Sequence, residues 1–309
     1  MSSPTFVVAG AARCGTTALI EGLRRHPRVF VTVPKEPHYF ALHGTQPAFT
    51  GPGDATMINA RAVVAEDEYL ALYPDDVSAY EAVGEGSTST LYYYERAIPE
   101  IERLAPDAQV LVMLREPVAR AQSAYDFLVS RGYEGLPSLL DAVRAEPQRT
   151  AEGYHHLWHY EGMGHYAQSL AAFRDVFGPD RLRVIFQDDL SCNGSSTIVS
   201  ALRFIGTTPE PGEDGDVATV NAAGAPRSRA LSLLVHHTAS RPWARKAFRA
   251  ATTWEQRERF RRALLRQRVG VPWEVRKELG PRFAAEKAQL RALLPDLTGG
   301  RPLPEWLGT

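Results

Sequence analysis

The chain has 309 residues, 44% hydrophobic and 23% charged, which is apolar enough to bury a core and too weakly charged for a disordered chain. Its 35 basic and 36 acidic residues leave a net charge of −1, without the basic surplus of a general nucleic-acid binder. Two cysteines, Cys14 and Cys192, rule out a disulfide-rich scaffold; with no long apolar run and no secretory leader, the sequence predicts a soluble, cytoplasmic enzyme with no membrane partner. In chain order, Thr5–Ala9 is a short apolar, β-branched run, followed by a small-residue loop and a helical pattern from Thr16 to Arg25. Arg28–Val33 reads as a second strand stopped by Pro34, and Ala82–Glu85 as a third. Val110–Leu114 is wholly apolar and reads as a buried parallel strand. Arg115 and Pro117 end it, and Pro117 opens a helix to about Ser130. Gly164–Phe177 carries Tyr166, Leu170, Phe173 and Phe177 on one face; Gly178-Pro179 closes it before the strand Leu182–Phe186. Further helices are predicted over Ser195–Ile205, Ser228–His237, Trp254–Gln267 and Phe283–Leu294, with loops at Gly44–Asn59 and Thr207–Ala225. Strands alternating with helices predict an α/β fold with a central parallel sheet, as one domain over 1–309. Its core runs to about residue 206, and a helical C-terminal extension covers 207–309.

The first chemical signal lies between the first strand and the first helix, in Gly10-Ala-Ala-Arg13-Cys14-Gly15-Thr16-Thr17-Ala18. Small residues let the backbone curl around a ligand, and the amides of Cys14, Gly15, Thr16 and Thr17 would point inward at a helix start. Unpaired donors and the helix dipole make such a place an anion site. The hydroxyls of Thr16 and Thr17 and the fork of Arg13 add donors. The spacing resembles the nucleotide-binding P-loop, G-x-x-x-x-G-K-[ST], except that Thr16 stands where the lysine belongs. That substitution disfavours a P-loop nucleoside-triphosphate-dependent kinase, which remains the alternative reading. Cys14 at a helix start could be a stabilised thiolate or simply a small residue permitting close backbone approach.

The second signal is Arg115-Glu-Pro117-Val-Ala-Arg120-Ala-Gln-Ser123-Ala-Tyr125, where an apolar strand turns into a helix. An arginine at the strand end and a hydroxyl two helical turns later can grip one phosphate from two sides.

Together the two segments resemble the PAPS-dependent sulfotransferases, PAPS being 3′-phosphoadenosine 5′-phosphosulfate. Arg115, Pro117, Arg120, Ser123 and Tyr125 match every fixed position of that family's R-x-P-x-x-R-x-x-S-x-Y segment. Lys35-Glu36-Pro37-His38-Tyr39-Phe40 is similar to the K-E-x-H-F-F segment of the heparan-sulfate-type enzymes and their bacterial relatives, and Gly84–Thr88 occupies the place of their E-K-[ST]-P segment. The resemblance implies a P-loop-like three-layer fold. It also implies transfer of the sulfuryl group of PAPS to a hydroxyl of a small-molecule or glycan acceptor, with adenosine 3′,5′-bisphosphate as product and no metal. It gives Arg13, the phosphate loop, Thr16 and Thr17 to the 5′-phosphosulfate, and Arg115 and Ser123 to the 3′-phosphate. Glu36 matches the glutamate given the role of base; His38 is the second candidate, its unperturbed pKa near 6.5 suiting neutral pH. The two would share a face only if their segment were extended.

Two departures matter. Arg13 stands where the family often has lysine; it stays cationic but cannot donate a proton at ordinary pH. Gly86 replaces a lysine that the heparan enzymes use near the sulfonyl group or acceptor, which favours a bacterial specialised metabolite over an anionic polysaccharide. Lys35 and Tyr39 fall on the acceptor side of the resemblance, Lys35 either touching the sulfonate or lying on the surface. His155, His156 and His159 cluster with Trp158 and Tyr160; His155 and Trp158 either line the acceptor pocket or pack as an aromatic loop, and Tyr92–Tyr94 invite the same two readings. His155 and His159 would share a helix face, but no third metal ligand is obvious. Arg227 and Arg229 fall where relatives place a loop over the adenine and 3′-phosphate, and are either phosphate contacts or surface charges. No motif sets an oligomeric state.

Overall fold

Five segments lie side by side in one sheet: β1 (Phe6–Gly10), β2 (Val29–Val31), β3 (Ala82–Gly86), β4 (Gln109–Leu114) and β5 (Leu182–Phe186). Every pairing is parallel, and the order is β2-β3-β1-β4-β5. The computed structural model describes residues 3–209 and 270–308, with two short strands at 224–226 and 265–267. All five residues of β1 are buried, because a central parallel strand meets helices on both faces. Residues Val7, Glu85 and Val110 sit in register across β1, β3 and β4. From β1 the chain runs outward to β2 and β3 on one side, then returns to β4 and β5 on the other. The order therefore reverses between β1 and β4, and the loops leaving those strands diverge to open a crevice at their carboxyl ends.

The first helix, α1 (Thr16–Arg24), follows the β1 loop. Between β2 and β4 come α2 (Tyr39–Leu42), α3 (Glu66–Leu70), α4 (Ser89–Tyr92) and α5 (Tyr94–Leu104). After β4, α6 (Pro117–Ser130) starts with proline in its first turn, and the Glu116 side chain accepts from the amides of Val118 and Ala119. Then follow α7 (Leu139–Arg144), α8 (Glu146–Ala151) and α9 (Ala167–Arg181). Gly178 breaks α9 with φ 65° and ψ 174°, where the sequence places its end. After β5 come α10 (Gln187–Cys192) and α11 (Gly194–Phe204), then α12 (Trp273–Leu279) and α13 (Ala284–Leu293). Leu290, Leu294, Leu297 and Leu307 pack into the same apolar core as the strands. Among the described residues no helix is long and apolar enough to cross a membrane.

One expected helix is corrected. Leu265–Gln267, the predicted end of a helix from Trp254, is β7 and pairs antiparallel with β6 (Gly224–Pro226), inside what was expected to be a loop. Cross-strand pairing overrides the local helical pattern there. The rest of that helix and the predicted helix Ser228–His237 lie outside the described residues.

Gly84 shows how closely β3 and β1 approach: a Cβ at this position would lie 2.3 Å from the Phe6 carbonyl oxygen. Because the obstacle is backbone, Gly84→Ala is expected to cost about 2–3 kcal/mol, measured as a lower urea midpoint; an unchanged midpoint would contradict this packing.

Candidate active site

The loop after β1 enters α1 through Gly15, whose φ of 96° suits glycine. Arg13 is also left-handed, at φ 69°, an uncommon conformation for a residue with a side chain. The expected ring of four amides is corrected by one: the Cys14 N–H bonds the Ala11 carbonyl at 3.3 Å. The amides of Gly15, Thr16 and Thr17 have no acceptor among the described residues and remain for an anion. Thr16, Thr17 and Ala18 line a cleft of about 1130 Å³. The Cys14 side chain turns away into the core, 3.9 Å from the Tyr166 hydroxyl. Burial pushes its thiol up to about 11, which removes the thiolate reading and leaves close backbone approach.

The loop after β4 meets this one. Arg115 Nη1 donates to the Arg13 carbonyl at 3.3 Å, and Arg13 Nε donates to Ser123 Oγ at 3.3 Å. The Arg13 guanidinium also lies over the Phe127 ring, 4.5 Å from its centroid. Tyr166 OH donates to the Arg115 carbonyl at 3.1 Å, so one phenol touches both phosphate loops. Burial first, then the like charges of Arg115 and Arg131, lower Arg13 to about 10, still cationic at neutral pH. Crowded guanidiniums beside free amides form a site for a polyanion. Arg120 of the same motif is different: it is fully buried and donates to the Tyr160 carbonyl, a structural part.

Of the segment Lys35–His38, Glu36 lines the cleft, while Lys35 and His38 stand behind it and His38 is buried. Glu36 and His38 are left-handed, at φ 63° and 61°, on either side of Pro37. These two turns, rather than the extended segment expected, bring His38 Nε2 to 3.9 Å from Glu36 Oε2. The following turn holds them residue by residue. The Gly86 carbonyl accepts from Glu36 N–H at 3.2 Å and Ser87 Oγ from His38 N–H at 2.9 Å. Thr88 Oγ1 donates to Glu36 Oε2 at 3.4 Å, and Ser89 Oγ meets His38 Nδ1 at 2.8 Å. Lys35 Nζ pairs with Glu36 Oε1. Burial would raise the Glu36 carboxyl, but Lys35 and His38 outweigh it and hold it down at about 2. Burial lowers His38 to about 4 against the pull of Glu36. At neutral pH the cleft therefore presents an ionised carboxylate beside a neutral imidazole.

Glu36, Arg13, Arg115 and Ser123 thus share one cleft with the helix start. Three residues expected near the acceptor do not reach it. Tyr39 is buried, stacks on Tyr69 at 4.1 Å and donates to Glu100 at 2.6 Å. Trp158 is buried with its indole N–H on Asp54 at 2.9 Å, and His155 Nε2 lies 3.7 Å from the same carboxylate. The segment forms a tight turn at His156–Trp158, so His155 and His159 share no helix face; His159 Nδ1 instead meets Tyr92 OH at 2.6 Å. Among the described residues no group of three His, Cys, Asp or Glu side chains could hold a metal. Arg227 and Arg229 lie outside the described residues. Sequence reasoning missed Phe127 and Ser89, which carry no motif, gave Ser87 no role of its own within Gly84–Thr88, and placed Tyr166 only on a helix's apolar face. It also missed Asp188, which lines the far wall and accepts from Trp306 Nε1 at 3.0 Å.

Residues 4–210 match the family described as "Sulfotransferase family". The crystal structure of a sulfotransferase from Alicyclobacillus acidocaldarius is similar over 99% of both chains, at 28% identity and a TM-score of 0.71. Carbohydrate sulfotransferase 15 of rat and of human is 28% identical over 162 residues, 41% of this chain. That match spans only 28% of the relatives' own length.

The different settings of Cys14, buried, and Cys192, exposed, predict that one thiol per folded chain reacts with a thiol reagent at pH 8, and the second only on unfolding. Two thiols reacting at similar rates would contradict the placement of Cys14.

Proposed function

The chain belongs to the sulfotransferase family, and we propose that it moves the sulfuryl group of PAPS to a hydroxyl of a small-molecule or glycan acceptor. The observation that carries this reading is the meeting of Arg13 from the β1 loop, Arg115 from the end of β4 and Ser123 from α6 at one helix start, with Glu36 on the same cleft. The Gly15, Thr16 and Thr17 amides would hold the 5′-phosphosulfate, and Arg115 and Ser123 the 3′-phosphate that separates this nucleotide from ATP. The acceptor oxygen attacks sulfur in line, the bond from sulfur to the bridging oxygen breaks, and Glu36 takes the hydroxyl proton. The departing electron pair stays on the bridging oxygen of adenosine 3′,5′-bisphosphate, where Arg13 offsets the charge without giving up a proton. His38, held by Ser89, keeps its second-candidate place beside Glu36.

In this reading Lys35 masks Glu36 until the sulfonate competes for its ammonium group, and the freed carboxylate becomes the stronger base. A bacterial specialised metabolite in the cytoplasm remains the favoured acceptor. Gly86 supports it: a side chain there would meet the Ile20 side chain, which would have to shift to admit the heparan enzymes' lysine.

Arg115→Ala is expected to weaken adenosine 3′,5′-bisphosphate binding by about 2–5 kcal/mol and adenosine 5′-phosphate binding far less, by calorimetry; equal losses would refute the 3′-phosphate assignment. Lys35→Ala removes the main charge holding the Glu36 carboxyl down. The acid limb of the kcat/KM profile should therefore move to higher pH, and an unmoved limb would exclude the masking.

A further inference from the structure

One buried carboxyl has no part in the chemistry above. Glu85 in β3 is fully buried, and its Oε1 has no hydrogen-bond partner among the described residues. Its Oε2 accepts from Ser87 Oγ at 2.7 Å, and the same Ser87 oxygen accepts the His38 N–H at 2.9 Å. His38 is one of the two left-handed residues that turn Glu36 toward the cleft. A carboxylate buried with a single hydrogen bond is costly, whereas a neutral acid loses far less on leaving water.

We infer that Glu85 is a positioning residue: as the neutral acid it fixes the Ser87 hydroxyl, and through it the turn that aims Glu36 at the acceptor. The inference rests on the proposed role of that turn. The groups around Glu85 agree with a neutral acid. Burial is the largest influence and Glu36 adds to it, while the Ser87 bond and Lys35 oppose; the carboxyl is pushed up to about 8. On the sheet's flank Glu85 faces Tyr69 and Tyr73, whose phenols are raised well above their usual value mainly by burial. The two carboxyls thus separate by environment, Glu36 ionised at the cleft and Glu85 protonated beneath it.

A carboxyl raised by folding is protonated in the folded chain at pH values where the unfolded chain has released its proton. The stability linked to Glu85 is therefore present at low pH and falls as pH rises from about 4.5 toward about 8. The test uses Glu85→Gln, Glu85→Leu and Ser87→Ala in the full chain. Three quantities are measured: sulfuryl transfer from PAPS to water, affinity for adenosine 3′,5′-bisphosphate, and Tm from pH 5 to 9. The amide of Glu85→Gln still accepts from Ser87, so turnover should stay within about threefold of wild type while the fall in Tm with pH flattens. Glu85→Leu and Ser87→Ala should lose about tenfold or more in turnover with bisphosphate affinity unchanged, the signature of a misaimed rather than unfolded site. Should Glu85→Leu fail to fold, Ser87→Ala carries the same test. Glu85→Gln as damaging as Glu85→Leu, or a fully active Ser87→Ala, would overturn the inference. A wild-type chain that does not bind adenosine 3′,5′-bisphosphate would overturn the proposed function instead, while the Tm profiles would still report whether Glu85 is neutral.

Discussion

Two guanidiniums are brought together where no described residue forms an ion pair with either. Arg13 and Arg115 come from different strands, and each is placed by a contact that leaves charge unspent: Arg115 on a backbone carbonyl, Arg13 on a serine hydroxyl and a phenylalanine ring. Burial first, and then the like charge of Arg115, lowers the Arg13 pKa. A bound anion would offset both charges. The strand order reverses between β1 and β4, so the two loops leave the sheet side by side, and Tyr166 ties them from beneath by touching Cys14 and the Arg115 carbonyl.

The opposite wall follows a different logic. Glu36 and His38 occupy a backbone region that few residues with side chains adopt. Local preference does not place them there; four consecutive residues from the end of β3, Gly86 to Ser89, hold them, two through serine hydroxyls, one through a backbone carbonyl and one through a threonine hydroxyl. Strain of this kind persists where surrounding contacts over-determine it. Its consequence is chemical: a carboxylate on the cleft has an ammonium group and a buried neutral imidazole beside it within one short segment.

Much of this is legible in the sequence, unevenly. Four of the five strands are mainly apolar runs, the exception being β3 with Glu85 and two glycines, and each forms close to where the pattern puts it, because a buried parallel strand has little polar face to obscure it. The phosphate loop and Arg115–Ser123 are local segments with fixed spacing, and their nearness follows from the parallel topology. The short helices α2 to α5 are not legible. They are mostly four or five residues long, and α5 carries Pro99 inside it; tertiary packing forms them rather than periodicity. The acceptor-side residues failed for a related reason. Tyr39, His155 and Trp158 are polar-tipped aromatics that look like a binding surface in one dimension. In the fold, buried carboxylates already occupy those tips: Glu100 for Tyr39, and Asp54 for Trp158 and His155. Ser87 and Glu85 show the converse: they fall in the legible segment Gly84–Thr88, but its pattern does not say which of its residues act through a neighbour.

If the guanidinium pair is built for a nucleotide with phosphate at both the 3′ and 5′ positions, ligand preference reports it directly. The decisive measurement is calorimetric titration of the wild-type chain with adenosine 3′,5′-bisphosphate, with magnesium ATP as comparator. The account predicts that the bisphosphate binds at least about a hundredfold tighter, roughly 2.7 kcal/mol. Preference for magnesium ATP would contradict it, and would make the β1 loop a triphosphate site with Arg115 and Ser123 structural.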